Sequence, residues 1–277
     1  MTMTKIKQKY LPYILAALGT VAFVALVYAS STYMDLQRSH REARELALGF
    51  AEKLVQLAAD ENLRYEELSS RISQSSAKAM ALKAEKLEEL ELLTLVNPWN
   101  PIPEGYVPKL EAINDMQAVD YRCADDLRHM VLDCYMAGGA PYICSSYRTQ
   151  EMQQELYDNK VRRVIADGYS VDAAPEIAAQ SVAVPGTSEH QLGLAVDIID
   201  KYFTDLTYMQ EYTDTQQWLI ENSWKYGFIL RYPNGTTEIT GIIYEPWHYR
   251  YVGREVAEEI HELGITLEEY LPLRRGR

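Results

Sequence analysis

With 277 residues, 47% hydrophobic and 24% charged, the chain carries enough apolar material for a packed core and is long enough for one large domain or two modest ones. Forty acidic residues against 27 basic ones give a formal net charge of -13, which argues against a nucleic-acid binder, because a phosphate backbone rewards Lys and Arg. Three cysteines, Cys123, Cys134 and Cys144, form no C-x-x-C pair and no even set, so they read as small apolar fillers with at most one disulfide, through Cys144.

Residues 1–33 read as a cytoplasmic tail and a membrane anchor. Lys5, Lys7 and Lys9 precede Leu11–Ala29, a run without a charge and about the length, some 20 residues, that a helix needs to cross a bilayer. Positive residues stay in the cytoplasm, which puts everything after residue 30 outside and makes the chain a single-pass protein of the cell membrane. Cleavage of a signal peptide after Val27-Tyr28-Ala29 is the rival reading, although the apolar run exceeds the about 7–15 residues of an ordinary signal core.

Residues 34–96 hold Gly49 as the one glycine, no proline, and abundant helix formers, which predicts a long helical stalk. Ala47, Phe50, Leu54 and Leu57 follow coiled-coil spacing, as do Tyr65, Leu68 and Ile72, with Glu61 and Arg64 breaking the seam between them. A plain spacer and a weak homodimer through the stalk both fit that pattern.

Pro98, Pro101, Pro103 and Pro108 end the helical run and open a globular domain, residues 97–277. Within it the pattern predicts a helix over Asp115–Met136, a strand over Pro141–Ser146, a helix over Thr149–Asp167 and a polar crossover over Gly168–Thr187. A strand follows at Leu194–Ile199 and a helix at Asp214–Tyr226, stopped by Gly227. Phe228–Tyr232 and Ile239–Tyr244 are expected to form a hairpin around Asn234-Gly235, and Arg254–Leu263 a closing helix. This irregular order of helices and strands points to an α+β domain.

Two of the five histidines sit in the densest polar and glycine-containing segments, Ser188-Glu-His190-Gln-Leu-Gly193-Leu-Ala195-Val-Asp197 and Glu245-Pro-Trp-His248. A catalytic zinc takes three protein ligands and leaves a fourth position to water, and two histidines with one carboxylate meet that demand. Asp197 falls inside an apolar run, where an ionised carboxylate is costly unless a cation accompanies it. On a strand it shares a face with Ala195 and Ile199, and the small residue at 195 leaves room beside a metal. Glu245, three residues before His248, is close to the ligands without being one, as a base that must accept a proton from water requires. Arg148 suits either a carboxylate or a developing oxyanion. Gln153, one turn beyond it, fits a substrate contact or an ordinary polar surface role equally well.

These residues resemble the signature of the VanY-type D-alanyl-D-alanine carboxypeptidases, zinc peptidases of the peptidoglycan stem peptide. The similarity extends through Ser145-Ser146-Tyr147-Arg148, Pro185-Gly186-Thr187 and Tyr249-Arg250-Tyr251-Val252-Gly253, about residues 110–255. The resemblance implies a small antiparallel sheet flanked by helices, Zn2+ on His190, Asp197 and His248, and Glu245 as the catalytic base. It also implies Arg148 near the scissile carbonyl or the terminal carboxylate, and Ser188 helping to bind substrate. The expected activity is D,D-carboxypeptidase release of terminal D-Ala. An L,D-carboxypeptidase or an endopeptidase would use the same machinery, with the choice set by the Gly168–Thr187 crossover and the surroundings of Arg231. A non-catalytic wall-binding scaffold is the rival from another class.

Overall fold

The computed structural model describes residues 11–21, 40, 43–53 and 65–275. The chain divides into two compact units, Met1–Glu88 with Pro272–Arg277, and Glu89–Leu271. Residues 11–21 and 43–53 of the first unit are helical, and a longer helix, α1, covers Tyr65–Leu92, its last four residues belonging to the second unit. No helix among the described residues is long and apolar enough to cross a membrane. The expected span Leu11–Ala29 is described only as far as Val21, and Leu54 and Leu57 of the expected coiled-coil seam lie outside the described residues.

The second unit is built on a four-stranded antiparallel sheet of order β3-β4-β6-β5, where β3 is Pro141–Ser145, β4 Ala195–Asp200, β5 Phe228–Leu230 and β6 His248–Tyr251. A two-stranded ribbon, β1 Leu110–Ala112 and β2 Ala118–Asp120, precedes α2, Tyr121–Met136. Around the sheet run α3 Gln150–Ala166, α4 Ala174–Ala179, α5 Asp214–Asn222, α6 Thr237–Thr240, α7 Arg254–Leu263 and α8 Leu267–Arg275. The domain is therefore α+β, as the order of elements predicts, with the small antiparallel sheet that the family resemblance implies.

Strand periodicity sorts the side chains of the two central strands. Val196 and Ile198 of β4, with Tyr249 and Tyr251 of β6, join Leu127, Met130 and Cys134 of α2 in the main core. The alternate residues, Asp197 on β4 and His248 and Arg250 on β6, must then emerge on the opposite face. Register fixes their neighbours: Asp197 pairs with His248, and Ala195 with Arg250. A second core joins Ile229 and Val252 to Val256, Ala257 and Ile260 of the amphipathic α7 and to Leu267 of α8. Leu93 and Val96, before the expected boundary at Asn97, are buried in these cores.

Two expected elements are corrected. The helix predicted from Asp115 starts at Tyr121, because Asn114 Oδ1 accepts from the backbone of Met116 and Gln117 to close a turn. Residues Ala118–Asp120 then pair as β2, and Asp120 caps the helix by accepting from the Arg122 amide. The hairpin predicted around Asn234-Gly235 does not form: β5 pairs with β6, while Thr237–Thr240 is a short helix ended by Gly241 at φ 78°. The threonines explain the change, since Thr236 Oγ1 and Thr240 Oγ1 bond to backbone carbonyls nearby instead of standing on a strand.

Candidate metal centre

His190 lies on a 3-10 turn, Glu189–Leu192, that Gly193 ends in the left-handed conformation at φ 73°. A Cβ at Gly193 would stand 3.1 Å from the Asp120 amide nitrogen, so this tight delivery into β4 needs glycine. The turn hands the chain to β4, which carries Asp197, and β6 places His248 beside it. One ligand atom from each of His190, Asp197 and His248 can be chosen so that all lie within 4.8 Å of one another, and all three residues are buried.

The outer nitrogens of both imidazoles are already committed. His190 Nδ1 lies 2.8 Å from the Ser146 carbonyl oxygen, and His248 Nε2 lies 3.4 Å from Glu189 Oε2. Each contact favours a proton on that nitrogen and turns the other one, His190 Nε2 or His248 Nδ1, toward Asp197. His190 Nε2 is buried without a hydrogen bond although Asp197 Oδ2 is only 3.2 Å away, because the two are not aligned as donor and acceptor. Two acceptors converging without a proton between them suit a cation, and this donor set fits zinc.

The charges agree with that reading. Burial and the adjacent Arg148 push His190 down to about 4, so its imidazole is neutral at neutral pH. Burial opposes ionisation of Asp197, but the two imidazoles and Arg148 hold its carboxyl well below the usual range. Burial also opposes a charge on His248, yet Asp197 and Glu189 raise it to about 9 in the metal-free centre. A bound cation takes over the role of that proton between the carboxylates.

Arg148 donates from Nη2 to Asp197 Oδ2 at 2.8 Å and from Nε to Ser145 Oγ at 2.9 Å. Gln153 is neither a surface residue nor a cleft-lining one. It is fully buried, accepts from Arg148 Nη1 at 3.3 Å and donates to the Ala183 carbonyl at 2.7 Å. Glu245 Oε2 stands 3.8 Å from His248 Nδ1, and burial pushes its carboxyl up to about 8 without a bound cation. Arg148, Ser188, Glu245 and the three candidate ligands all line one cleft of about 300 Å³, whose walls include Ser181, Val182 and Ala183 of the crossover. Trp247 lines it as well, whereas Tyr249 is core, with its hydroxyl donating to Gln216.

Of the expected surroundings of Arg231, Tyr232 and Glu189 line this cleft, while Arg231 itself does not. It is buried, donating to Glu189 at 2.7 Å and to both oxygens of Glu268 on α8. Arg250 joins the same group, donating to Glu189 Oε1 at 2.7 Å and to the carbonyls of Leu92 and Thr94. Burial would raise the pKa of Glu189, but the two guanidiniums outweigh it and keep the carboxylate ionised well below the usual range. The supporting role of Glu189 and Arg250 escaped the sequence reading. The available signal was parity: Arg250 alternates with Tyr249 and Tyr251 on the same strand as His248, so it had to share the face of that histidine.

The profile of the VanY family, described as D-alanyl-D-alanine carboxypeptidase, matches residues 116–254. A D-alanyl-D-alanine carboxypeptidase of Enterococcus faecalis is 46% identical over 179 residues, spanning 65% of this chain and 65% of that protein. The putative carboxypeptidase YodJ of Bacillus subtilis is 34% identical over 203 residues, 68% of this chain and 71% of that protein. Two solved structures share 46% identity and a TM-score of 0.60 with this chain over 65% of its length: VanYB in complex with D-Ala-D-Ala, matched over 97% of its chain, and a variant of the D,D-pentapeptidase VanY in complex with Zn(II), matched over 99%.

Proposed function

The chain belongs to the VanY family of D-alanyl-D-alanine carboxypeptidases, and from that premise we propose that it is a zinc-dependent D,D-carboxypeptidase that removes the terminal D-Ala from peptidoglycan stem peptides. The single observation that carries the reading is the buried His190 Nε2, which has no hydrogen bond and faces Asp197 and His248, with Glu245 on the wall of the same cleft. A bare pair of acceptors held in that way is costly to bury unless a cation completes it.

His190 Nε2, Asp197 and His248 Nδ1 would hold the ion, with Ser146, Arg148 and Glu189 fixing their orientation. Zinc, when bound, supplies Lewis-acid polarisation of the scissile carbonyl and acidifies the attacking water. Glu245 accepts the proton of that water as its oxygen bonds to the carbonyl carbon, then gives the proton to the amine of the departing D-Ala as the C–N bond breaks. Glu245 would begin the cycle ionised, since a positive charge held by the neighbouring ligands would offset the effect of burial. Arg148 faces the developing oxyanion or the terminal carboxylate, and Ser188 offers a hydroxyl to the peptide.

The N-terminal residues extend the proposal. Lys5, Lys7 and Lys9 followed by an uncharged run support a single membrane anchor with the catalytic unit outside, and the helical stretch after it supports a stalk. An extracytoplasmic site is where stem peptides are found.

The test uses the full chain loaded with zinc and a stem pentapeptide ending in D-Ala-D-Ala. Expected is release of one D-Ala, abolished by a chelator and restored by zinc. Release of D-Ala only from the tetrapeptide would make the protein an L,D-carboxypeptidase, and an internal cut an endopeptidase. No chelator-sensitive product from any of these peptides would refute the reading.

A further inference from the structure

Helix α3 turns one face to the cleft: Leu156, Lys160 and Arg163, spaced four and three residues apart, all line it. Lys160 is half-buried and Arg163 exposed, and among the described residues neither has an ion-pair partner. Acids outnumber bases 40 to 27 in the chain. Arg122, Arg128, Arg231, Arg250 and Arg254 each have a carboxylate within 2.6–2.8 Å.

We infer that Lys160 and Arg163 form a second carboxylate-binding subsite, which takes a free carboxylate carried by the part of the peptide that is retained after cleavage. The inference rests on the peptidase reading above and adds a preference for anionic stems to it. The position of the pair along the helix separates it from the scissile bond. Gln153, on the same helix, is the residue that touches Arg148, and Lys160 and Arg163 lie seven and ten residues further on. At about 1.5 Å per residue that is about 10 and 15 Å along the axis. A single departing residue extends only about 3.5 Å past the bond, so its own carboxylate stays near Arg148 and Ser188. The retained stem, several residues long, is what passes the far wall. Two carboxylates on it have the right chemistry, the α-carboxylate of a γ-linked D-glutamate and the side-chain carboxylate of a diaminopimelate. Both become neutral when amidated.

Calorimetry on the zinc-loaded full chain carrying Glu245→Gln measures this without turnover. The ligands are the tetrapeptide L-Ala-γ-D-Glu-L-Lys-D-Ala, its D-isoglutamine amide, and the same pair with diaminopimelate, free or amidated, in place of lysine. A free acid should bind about fivefold tighter than its amide, the scale of a partly exposed charge pair. The series in which that gap appears identifies the carboxylate. Adding Lys160→Gln and Arg163→Gln should close the gap, as should high salt. Equal affinity for acid and amide in both series would overturn the subsite. So would an equal loss for acid and amide in the substituted protein, because the pair would then hold the terminal carboxylate common to every ligand. A preference for the free acid, together with no D-Ala release from the pentapeptide by the unsubstituted chain, would leave the subsite standing and remove the activity.

Discussion

Glu189 and Glu245 are buried a few residues from the same metal ligands, yet their surroundings drive them in opposite directions. Glu189 faces Arg231 and Arg250 at 2.7 Å and stays charged, whereas burial dominates at Glu245 and raises it to about 8 until a cation arrives. In the proposed mechanism the first orients His248 and the second takes and returns a proton. Replacing Glu189→Gln should lower zinc affinity by about 10- to 100-fold, the usual effect of losing a partner behind a metal-bound histidine. It would also leave the buried Arg250 guanidinium without a carboxylate while Arg231 keeps Glu268, a loss of about 3 kcal/mol or more. Zinc titration and denaturant melts of the variant check both, and an unchanged affinity would remove Glu189 from the centre's support. His190, Asp197 and His248 could be read from the sequence because each stands out against its neighbours: an aspartate inside Leu194–Ile199, and histidines within polar, glycine-bearing segments. Glu189 and Gln153 could not, because their importance lies in partners 42 residues and 30 residues away in the chain, Arg231 and Ala183.

Strands β4 and β6 were legible to different degrees for a physical reason. The apolar run of β4 is long enough to declare itself, while β6 is a short strand, His248–Tyr251, whose polar and aromatic residues fit a turn equally well until Asp197 and Phe228 pair with it on either side. The failed hairpin had the right turn residues but the wrong partner. Asn234-Gly235 favours a tight turn, yet β5 gains more by pairing with the central β6 than with a threonine-rich segment that bonds to its own backbone. Gly193 is the element-level hinge of the site, since its positive φ lets a ligand-bearing turn enter β4 directly beneath β2. Gly193→Ala is expected to destabilise the domain by about 1–3 kcal/mol. A lower denaturation midpoint with an unchanged slope is the expected readout, and an unchanged midpoint would show that the turn tolerates a side chain.

The second unit gathers its two ends around the centre. Arg250 holds the carbonyls of Leu92 and Thr94, Arg231 holds Glu268 of α8, and Glu189 receives both arginines. Zinc should therefore stabilise the whole unit rather than one loop, by about 4 kcal/mol at a thousandfold excess over its dissociation constant. Alkaline pH should do the reverse. Burial raises the thiols of Cys134 and Cys144 and the phenol of Tyr226 to about 12. In the unfolded chain these groups lose their protons from about pH 8.5 to 10, so the unfolded state binds fewer protons there and stability falls as pH rises. Their contribution is complete below about pH 8.5 and gone near pH 12. Urea midpoints at successive pH values should show that decline, and a constant midpoint up to pH 11 would contradict it.

The central claim is that one zinc ion sits among His190, Asp197 and His248 while Glu245 acts on the water without holding the metal. Metal content and D-Ala release measured side by side on the wild-type chain, Glu245→Gln and His248→Ala test it. The account predicts one zinc per chain in the first two, turnover only in the wild type with a fall of about 10²-fold or more in Glu245→Gln, and loss of both zinc and turnover in His248→Ala. Full zinc occupancy in His248→Ala, or turnover by Glu245→Gln near the wild-type rate, would contradict it.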